Sequence, residues 1–341
     1  MRAAGAGGTS EVSRARVLSA WAELLRLPAL FTVPGDALAG AGALSARPDH
    51  RTLLAIGSSL CLYEAGMVLN DWADRAEDAA ERPHRPLPSG RVSPTAAFTA
   101  ACALTAAGLA LAARAGRPAL TIAVPLAATV WSYDLALKHT PVGPFAMGTA
   151  RGLDLLLGAA ATAGHTRPAL SSAAFLATHT CAVTTLSRQE THEGTPTAAL
   201  AALATTGALA WLLQRPLAPG WPPEQRSPNL RSPNLRSPGG QSPGRQELPG
   251  PAGGRRPAHR LPTPVTAALA TAYASTTARP YLHASLNPSP PLTQQAVGAG
   301  IRAVIPLQAA LLARSGATAT ALLTAALAPV ARRFARLVSI T

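Results

Sequence analysis

The sequence predicts an all-α membrane protein, a polytopic bundle of nine or ten transmembrane helices. Two features of its composition favour this fold class: 48% of the 341 residues are hydrophobic and only 13% are charged. Soluble domains contain about a quarter charged residues. The third observation is where the charges lie, because they collect between long apolar runs that match the thickness of a bilayer.

Ten apolar segments approach the roughly 20 residues that a membrane-crossing helix needs. Pro34, Pro306 and Pro329 interrupt the first and the last two of them, so the predicted number is nine or ten. Proline is tolerated in membrane helices when neighbouring groups satisfy the freed backbone. The predicted spans are 28–45, 52–70, 95–113, 119–137, 145–163, 168–187, 197–214, 262–279, 295–313 and 317–337.

These spans divide the chain into four parts. The insertion at 215–261 repeats Arg-Ser-Pro-Asn-Leu in tandem, and its composition favours disorder. Arginines in the N-terminal tail and in the link at 71–94 place both on the cytoplasmic side of the cell membrane by the positive-inside rule. The predicted parts are a flexible tail at 1–20, seven helices carrying an Asp-rich site at 21–214, the disordered insertion at 215–261, and the remaining helices at 262–341.

The net charge of +14 does not indicate a nucleic-acid partner. Lys138 is the only lysine, and eight of the arginines lie in the insertion at 215–261, so the charge says little about a folded basic surface. The three cysteines, Cys61, Cys102 and Cys181, lie in apolar runs without pairing or metal spacing. We expect them to be buried as small hydrophobic residues.

The most informative link follows the second predicted span. In a helix, Asp71, Asp74 and Asp78 would share one face. Like charges on one face repel and need either a cation between them or strong solvation. Carboxylates in this number suit Mg²⁺ that also contacts substrate phosphates. The arginines of the same link suit the phosphates, because a guanidinium binds them bidentately. The link therefore predicts a Mg²⁺–diphosphate site at the end of a membrane helix.

Three motifs of this chain resemble those of a known family. The run Asn70-Asp71-x-x-Asp74-x-x-x-Asp78, followed by Arg82-Pro-His-Arg-Pro-Leu-Pro-Ser-Gly90, resembles the first signature of the UbiA superfamily of intramembrane prenyltransferases. The resemblance covers 26–214 and 262–341. Within the superfamily, the chain resembles an EboC-like bacterial branch most. Two later elements agree in order, Tyr133-Asp134-x-x-Leu137-Lys138 and Gly148-x-x-Arg151-Gly152-Leu153.

The resemblance implies a helical bundle around a central cavity. It also implies an enzyme that transfers an isoprenoid chain from a polyprenyl diphosphate to an aromatic or other small or lipophilic acceptor, with Mg²⁺. The implied metal ligands are Asn70, Asp71, Asp74, Asp78 and Glu190. The implied substrate-binding residues are Asn70, Arg82, Arg85, Lys138, Arg151, Arg188 and His192. The implied catalytic residues are Asp71, Asp74, Lys138 and Glu190.

The chain departs from the family where many members carry a second aspartate set, after the sixth helix. Here 187–194 contains no aspartate. Glu190 and Glu193 could hold a second metal ion, Arg188 could bind phosphate and His192 could act as a base on the acceptor, or the segment could be a solvated link. A non-catalytic isoprenoid-binding membrane scaffold is therefore the alternative function.

Two intramembrane charges leave a further choice open. Arg151 and Asp154 are three residues apart in a predicted span, so they could pair with each other or serve the site. Asp36 follows Pro34 and Gly35 in the first span. We expect Asp36 to face the cavity and to help orient the acceptor.

Overall fold

The computed structural model describes residues 17–26, 31–189, 195–215 and 263–338, without the side chains of 334–338. Every regular element in these ranges is helical, which confirms the all-α fold class. The helices are α1 (17–24), α2 (Val33–Ala43), α3 (His50–Ala73), α4 (Arg75–Glu81), α5 (Pro94–Ala115), α6 (Arg117–Ser132), α7 (Gly143–Ala163), α8 (Leu170–Ser187), α9 (Pro196–Leu213), α10 (Pro264–Leu286), α11 (Pro290–Arg314) and α12 (Thr318–Val338).

Each of the ten predicted spans lies on its own helix, α2, α3 and α5 to α12. Six helical segments of the described part are long and apolar enough to cross a membrane: His50–Ala73, Pro94–Ala115, Arg117–Leu137, Arg167–Ser187, Pro196–Leu213 and Pro290–Arg314. The chain is accordingly a multi-pass membrane protein. The count of nine or ten spans stays a prediction, since α2 has only 11 residues and a full crossing needs about 20.

The structure describes residues at two of the predicted domain boundaries. The tail predicted as flexible to residue 20 is helical from residue 17, as part of α1. The reason is packing: Ala20 and Leu24 are fully buried in a cluster with Val68 and Leu69 of α3. Nearly all of the insertion predicted at 215–261 lies outside the described residues.

The cysteines are free, but they are not the core residues that the sequence predicted. Cys102 is exposed, and Cys61 and Cys181 are only partly buried. The expectation of burial was wrong because an apolar run in a membrane helix has an outer face as well as an inner one. Against lipid, a small apolar side chain needs no protein neighbour.

The start of α3 is fixed by a capping box. Asp49 accepts hydrogen bonds from the backbone N–H groups of Thr52 and Arg51, both at 3.0 Å, and the Thr52 hydroxyl accepts one from the Asp49 N–H. These bonds, first of all the one from Thr52, lower the pKa of Asp49. The box orients a helix whose other end carries the Asp-rich link.

Replacing Asp49 by Ala should lower the free energy of unfolding by about 0.5–2 kcal/mol, since it removes the cap of α3. Asp49→Asn should change it little, because asparagine caps a helix as well as aspartate does. Thermal unfolding of the detergent-solubilised protein measures both. Equal losses in the two variants would show that the charge, rather than the cap, stabilises the helix.

Close contact between α2 and α7 brings charged residues of the two helices together. A Cβ at Gly158 would collide with the backbone of Ala37, and one at Gly40 would collide with the backbone of α7 at Leu155. Small residues let membrane helices approach in this way. The approach places Asp36 of α2 against Arg151 of α7 inside the bundle.

Candidate functional site

The Asp-rich link is not one continuous helix. The α3 helix ends at Ala73, α4 begins at Arg75, and Asp74 between them has φ −84° and ψ 3°. The single helical face considered for the three aspartates is therefore broken at Asp74. Asp71 and Asp78 still lie together, because both contact Arg85.

Two buried carboxylates share the Arg85 guanidinium. Arg85 Nη1 lies 2.7 Å from Asp78 Oδ2 and 3.7 Å from Asp71 Oδ1. The Asp71 and Asp78 side chains are 6% and 5% exposed. Arg26 Nη2 lies 2.8 Å from Asp71 Oδ1, and Arg82 Nη1 lies 3.8 Å from Asp78 Oδ1. Sequence reasoning did not find Arg26, although a basic residue just before the first span was a readable signal.

Asp74 turns instead toward the link that follows α6. Its carboxylate contacts the Lys138 ammonium, and His139 Nε2 lies 3.9 Å from Asp74 Oδ1. One ligand atom each from Asp74, Glu77 and His139 lies within 4.8 Å of the others, close enough to share a metal ion. Glu77 was part of the link in the sequence, but the structure adds it to the candidate ligands.

A π-helical turn at Tyr133–Leu137 extends α6 and leads directly into Lys138. Turns of this kind occur often at functional sites. Within it, the Asp134 carboxylate is almost fully buried and accepts a hydrogen bond from Asn70 Nδ2 at 3.2 Å. This hydrogen bond links α3 to the extension of α6. The sequence did not indicate that Asn70 and Asp134 would be partners.

Side chains connect the Asp-rich link to the link after α6, and the latter to the end of α8. Lys138 joins the link after α6 to the Asp-rich link. Arg188 Nη1 donates to Thr140 O at 2.6 Å, and its Nη2 donates to His139 O at 3.3 Å. Arg188 thus fastens the end of α8 to the same surface. Glu190 and His192 lie outside the described residues, so their site roles stay predictions.

A second polar cluster lies deeper in the bundle. Arg151 Nε lies 2.9 Å from Asp36 Oδ2, and Gln308 Nε2 donates to Asp36 Oδ1 at 2.7 Å. Ser59 donates to Asp154 beside them. Of the alternatives left open for Arg151, the ion pair thus forms with Asp36 of α2 rather than within α7. Gln308 of α11 has no sequence signal that would have marked it.

The first polar cluster, called the upper cluster, consists of the acidic residues of the Asp-rich link and the cations that contact them. Its ligand atoms are of the kinds that bind a metal ion and a diphosphate. Asp71, Asp74, Asp78 and Glu77 offer carboxylate oxygens, which are ligands that Mg²⁺ prefers. The guanidinium and ammonium groups that now compensate these carboxylates are those that bind phosphate oxygens. Each cation could thus be shared between its carboxylate and a bound anion.

A cavity of about 420 Å³ lies apart from both clusters, between α7, α8 and α9. Apart from Phe145, its lining consists of small or hydroxyl-bearing residues, and none of them is charged. It therefore contributes none of the predicted site residues, and the central cavity expected from the resemblance stays a prediction. The lining residues include Phe145, Thr149, Thr178, Cys181, Thr185 and Thr205.

Comparison with known proteins identifies similar chains. The sequence profile of the UbiA prenyltransferase family matches residues 29–218. The digeranylgeranylglyceryl phosphate synthase of Methanopyrus kandleri is 35% identical over 149 residues, which is 42% of this chain and 53% of the relative. The protoheme IX farnesyltransferase of Prochlorococcus marinus is 35% identical over 164 residues, 45% of this chain and 48% of the relative. The chain thus spans about half the length of the curated relatives it matches.

Two solved structures share the fold. A structure of digeranylgeranylglyceryl phosphate synthase has a TM-score of 0.55 at 16% identity and covers 88% of this chain and 98% of its own. The apo structure of a UbiA homologue from Aeropyrum pernix has a TM-score of 0.55 at 17% identity, with 83% and 96% covered. These similarities show that the helices are arranged as in those proteins.

Proposed function

This chain belongs to the UbiA prenyltransferase family, and on that premise we propose that it is an integral-membrane prenyltransferase. It moves an isoprenoid chain from a polyprenyl diphosphate to an aromatic or other small or lipophilic acceptor, with Mg²⁺. The observation that carries the proposal is the upper cluster, in which three aspartates and several cations from separate links meet at one end of the bundle.

The cations of this cluster would bind the diphosphate of the donor. When the allylic C–O bond breaks, negative charge develops on the departing diphosphate, and fixed positive groups stabilise that charge most. Arg85 and Lys138 are held in place by aspartates, so they need little rearrangement to meet the phosphate oxygens. Arg82 and Arg188 stand at the edge of the same surface and would extend it.

The carboxylates would hold the metal. Asn70, Asp71, Asp74 and Asp78 are the ligands that the family resemblance implies, and Glu77 lies close enough to join Asp74. Bound Mg²⁺ would neutralise phosphate charge as a Lewis acid. Glu190 is proposed as a further ligand and His192 as a group near the acceptor, because both follow α8, whose end Arg188 fastens to this surface.

We further propose which part of the chain forms the site and on which side of the membrane the site lies. The residues of the site come from the part at 21–214, and the insertion at 215–261 contributes no proposed ligand. The site faces the cytoplasm and the protein resides in the cell membrane, as the distribution of arginines favours. The EboC-like branch stays a prediction from the motifs.

Purified protein in lipid should consume a prenyl diphosphate only when Mg²⁺ is present. The assay offers a panel of prenyl diphosphates of increasing length, with a cell extract as the source of acceptor, and follows diphosphate release and the mass of the product. EDTA should abolish turnover, because the carboxylates then lack the ion that neutralises the donor.

The Asp49→Asn variant serves as the control, since Asp49 caps the opposite end of α3 and should support full turnover. Turnover that persists in EDTA would contradict the proposed metal dependence. Mg²⁺-dependent binding of a donor without turnover would instead support the non-catalytic scaffold that the missing second aspartate set keeps open.

A further inference from the structure

One face of α3 connects the upper cluster to the deeper one. Ser59, Tyr63, Gly66 and Asn70 follow one another at intervals of three or four residues and so share that face. Ser59 contacts Asp154 at its lower end, and Asn70 contacts Asp134 at its upper end. At about 1.5 Å per residue, Tyr63 lies about 6 Å above Ser59 and about 10 Å below Asn70. Tyr63 therefore stands in the bundle interior between the two clusters.

The Tyr63 hydroxyl is a free hydrogen-bond donor in this position. The charged groups near enough to influence it are Arg151 and Asp36 of the deeper cluster, Glu64 of α3 and Arg26 of the upper cluster. It makes no hydrogen bond with any residue that the structure describes, and the side chain is partly exposed. A tyrosine hydroxyl inside a protein usually has a partner, so a bound molecule would supply one here.

Arg151 has donors left over as well. Its Nε faces Asp36, and its Nη2 donates to Thr32 O at 3.2 Å. Its Nη1 makes no hydrogen bond within the described ranges, and the side chain is 13% exposed while Asp36 is fully buried. Arg151 Nη1 is thus an unused donor among the described residues, while Asp36, which accepts a hydrogen bond from Gln308, faces Arg151 Nε.

The charges of the deeper cluster select the kind of group that fits there. Asp36 Oδ2 lies 2.9 Å from Arg151 Nε, and the Asp154 carboxylate accepts a hydrogen bond from Ser59 beside this pair. The cluster therefore has no excess positive charge for an anion. The Tyr63 hydroxyl and Arg151 Nη1 can each donate a hydrogen bond, and the cluster around them carries no net positive charge. Such donors suit an uncharged acceptor oxygen, in a hydroxyl or a carbonyl group.

We propose that Tyr63 and Arg151 form the acceptor end of the site and bind an uncharged oxygen group of the acceptor, with Asp36 and Gln308 as positioning residues. The inference rests on the proposed prenyl transfer. The bond from C1 of the isoprenoid to the diphosphate oxygen breaks, and the electron pair leaves with diphosphate. C1 bonds to the nucleophile of the acceptor, and the proton that the acceptor loses passes to the released diphosphate.

Fractionation of the cell extract tests whether the acceptor group is uncharged. The cell extract is divided by anion exchange into a neutral and an anionic fraction, and each is offered to the wild-type protein with a prenyl diphosphate. Prenylated product should form with the neutral fraction. Product formed only from anionic acceptors that carry no hydroxyl or carbonyl group would overturn the assignment of an uncharged acceptor group.

The roles of Tyr63 and Arg151 are tested by the ratio of prenylated acceptor to prenyl alcohol among the products. Donor that ionises without a well-placed acceptor is captured by water and released as prenyl alcohol. Tyr63→Phe should lower the ratio of prenylated acceptor to alcohol about five- to tenfold, the effect of one lost hydrogen bond. Mg²⁺-dependent donor binding should stay at the wild-type level, because the residues proposed to bind the diphosphate are untouched. Arg151→Lys should shift the ratio in the same direction.

Tyr281→Phe is the matched control. The Tyr281 side chain is 1% exposed, and its hydroxyl is buried without a hydrogen-bond partner among the described residues, next to Gly300. Its removal should leave the product ratio unchanged. An unchanged ratio in Tyr63→Phe, or equal shifts in both tyrosine variants, would overturn the acceptor assignment. Wild-type protein that consumes no donor would instead overturn the proposed function on which the assignment rests.

Discussion

Asp71→Asn and Asp74→Asn should each lower turnover by about a hundredfold or more, the usual effect of losing one electrostatic contact at the site of developing charge. Asn keeps the size of the side chain but loses the charge that binds a metal ion. Asp74 stands at the break between α3 and α4, where it contacts Lys138 and lies near Glu77. Its replacement would remove a ligand and leave Lys138 without its anchor. The rate of diphosphate release measures the effect.

The loss must be separated from misfolding. Elution of each variant as a single species in detergent, with a thermal transition near that of the wild type, would show that the bundle persists. Glu77→Gln should reduce turnover less, because Glu77 is exposed and no family motif requires it. Equal activity in Asp71→Asn, Asp74→Asn and Asp49→Asn would contradict the site assignment.

The helices could be predicted from the sequence because their signals are local. Apolar length defines each span, and a proline preceded by serine or threonine marks where several helices begin, as at Pro94 after Ser93 and Pro264 after Thr263. The break at Asp74 could not be predicted in the same way. Asp74 turns to Lys138, 64 residues later in the chain, and no local pattern reports that contact.

The composition of the upper cluster was also predictable, whereas its pairing was not. The motif at 70–90 contains Asp71, Asp78 and Arg85, and the structure brings these three together. Arg26 joins them from 45 residues away, and Gln308 reaches Asp36 across 272 residues. Such partners depend on which faces of distant helices meet, and hydrophobic runs in a membrane protein do not define those faces.

Arg85→Gln should lower the free energy of unfolding by about 2–4 kcal/mol and abolish turnover. Removing one partner of a buried ion pair leaves an uncompensated buried charge, and Arg85 compensates two carboxylates that are almost fully buried. The estimate stays below the full effect of a buried pair because the Arg85 side chain is 23% exposed and Arg26 still contacts Asp71. Thermal unfolding in detergent and diphosphate release give the two readouts.

A second substitution separates the structural role of Arg85 from its role toward phosphate. Adding Asp78→Asn to Arg85→Gln removes the carboxylate that lost its partner, so the double variant should recover at least half of the lost stability. It should remain inactive, because the groups proposed to bind metal and diphosphate are both gone. Arg75→Gln is the matched control: Arg75 Cζ lies 4.4 Å from the centroid of the Trp72 ring, and the loss of this contact should change stability by less than about 1 kcal/mol. A double variant less stable than Arg85→Gln alone would show that Asp78 stabilises the fold independently of Arg85, and the guanidinium would then not be the link between α3 and α4.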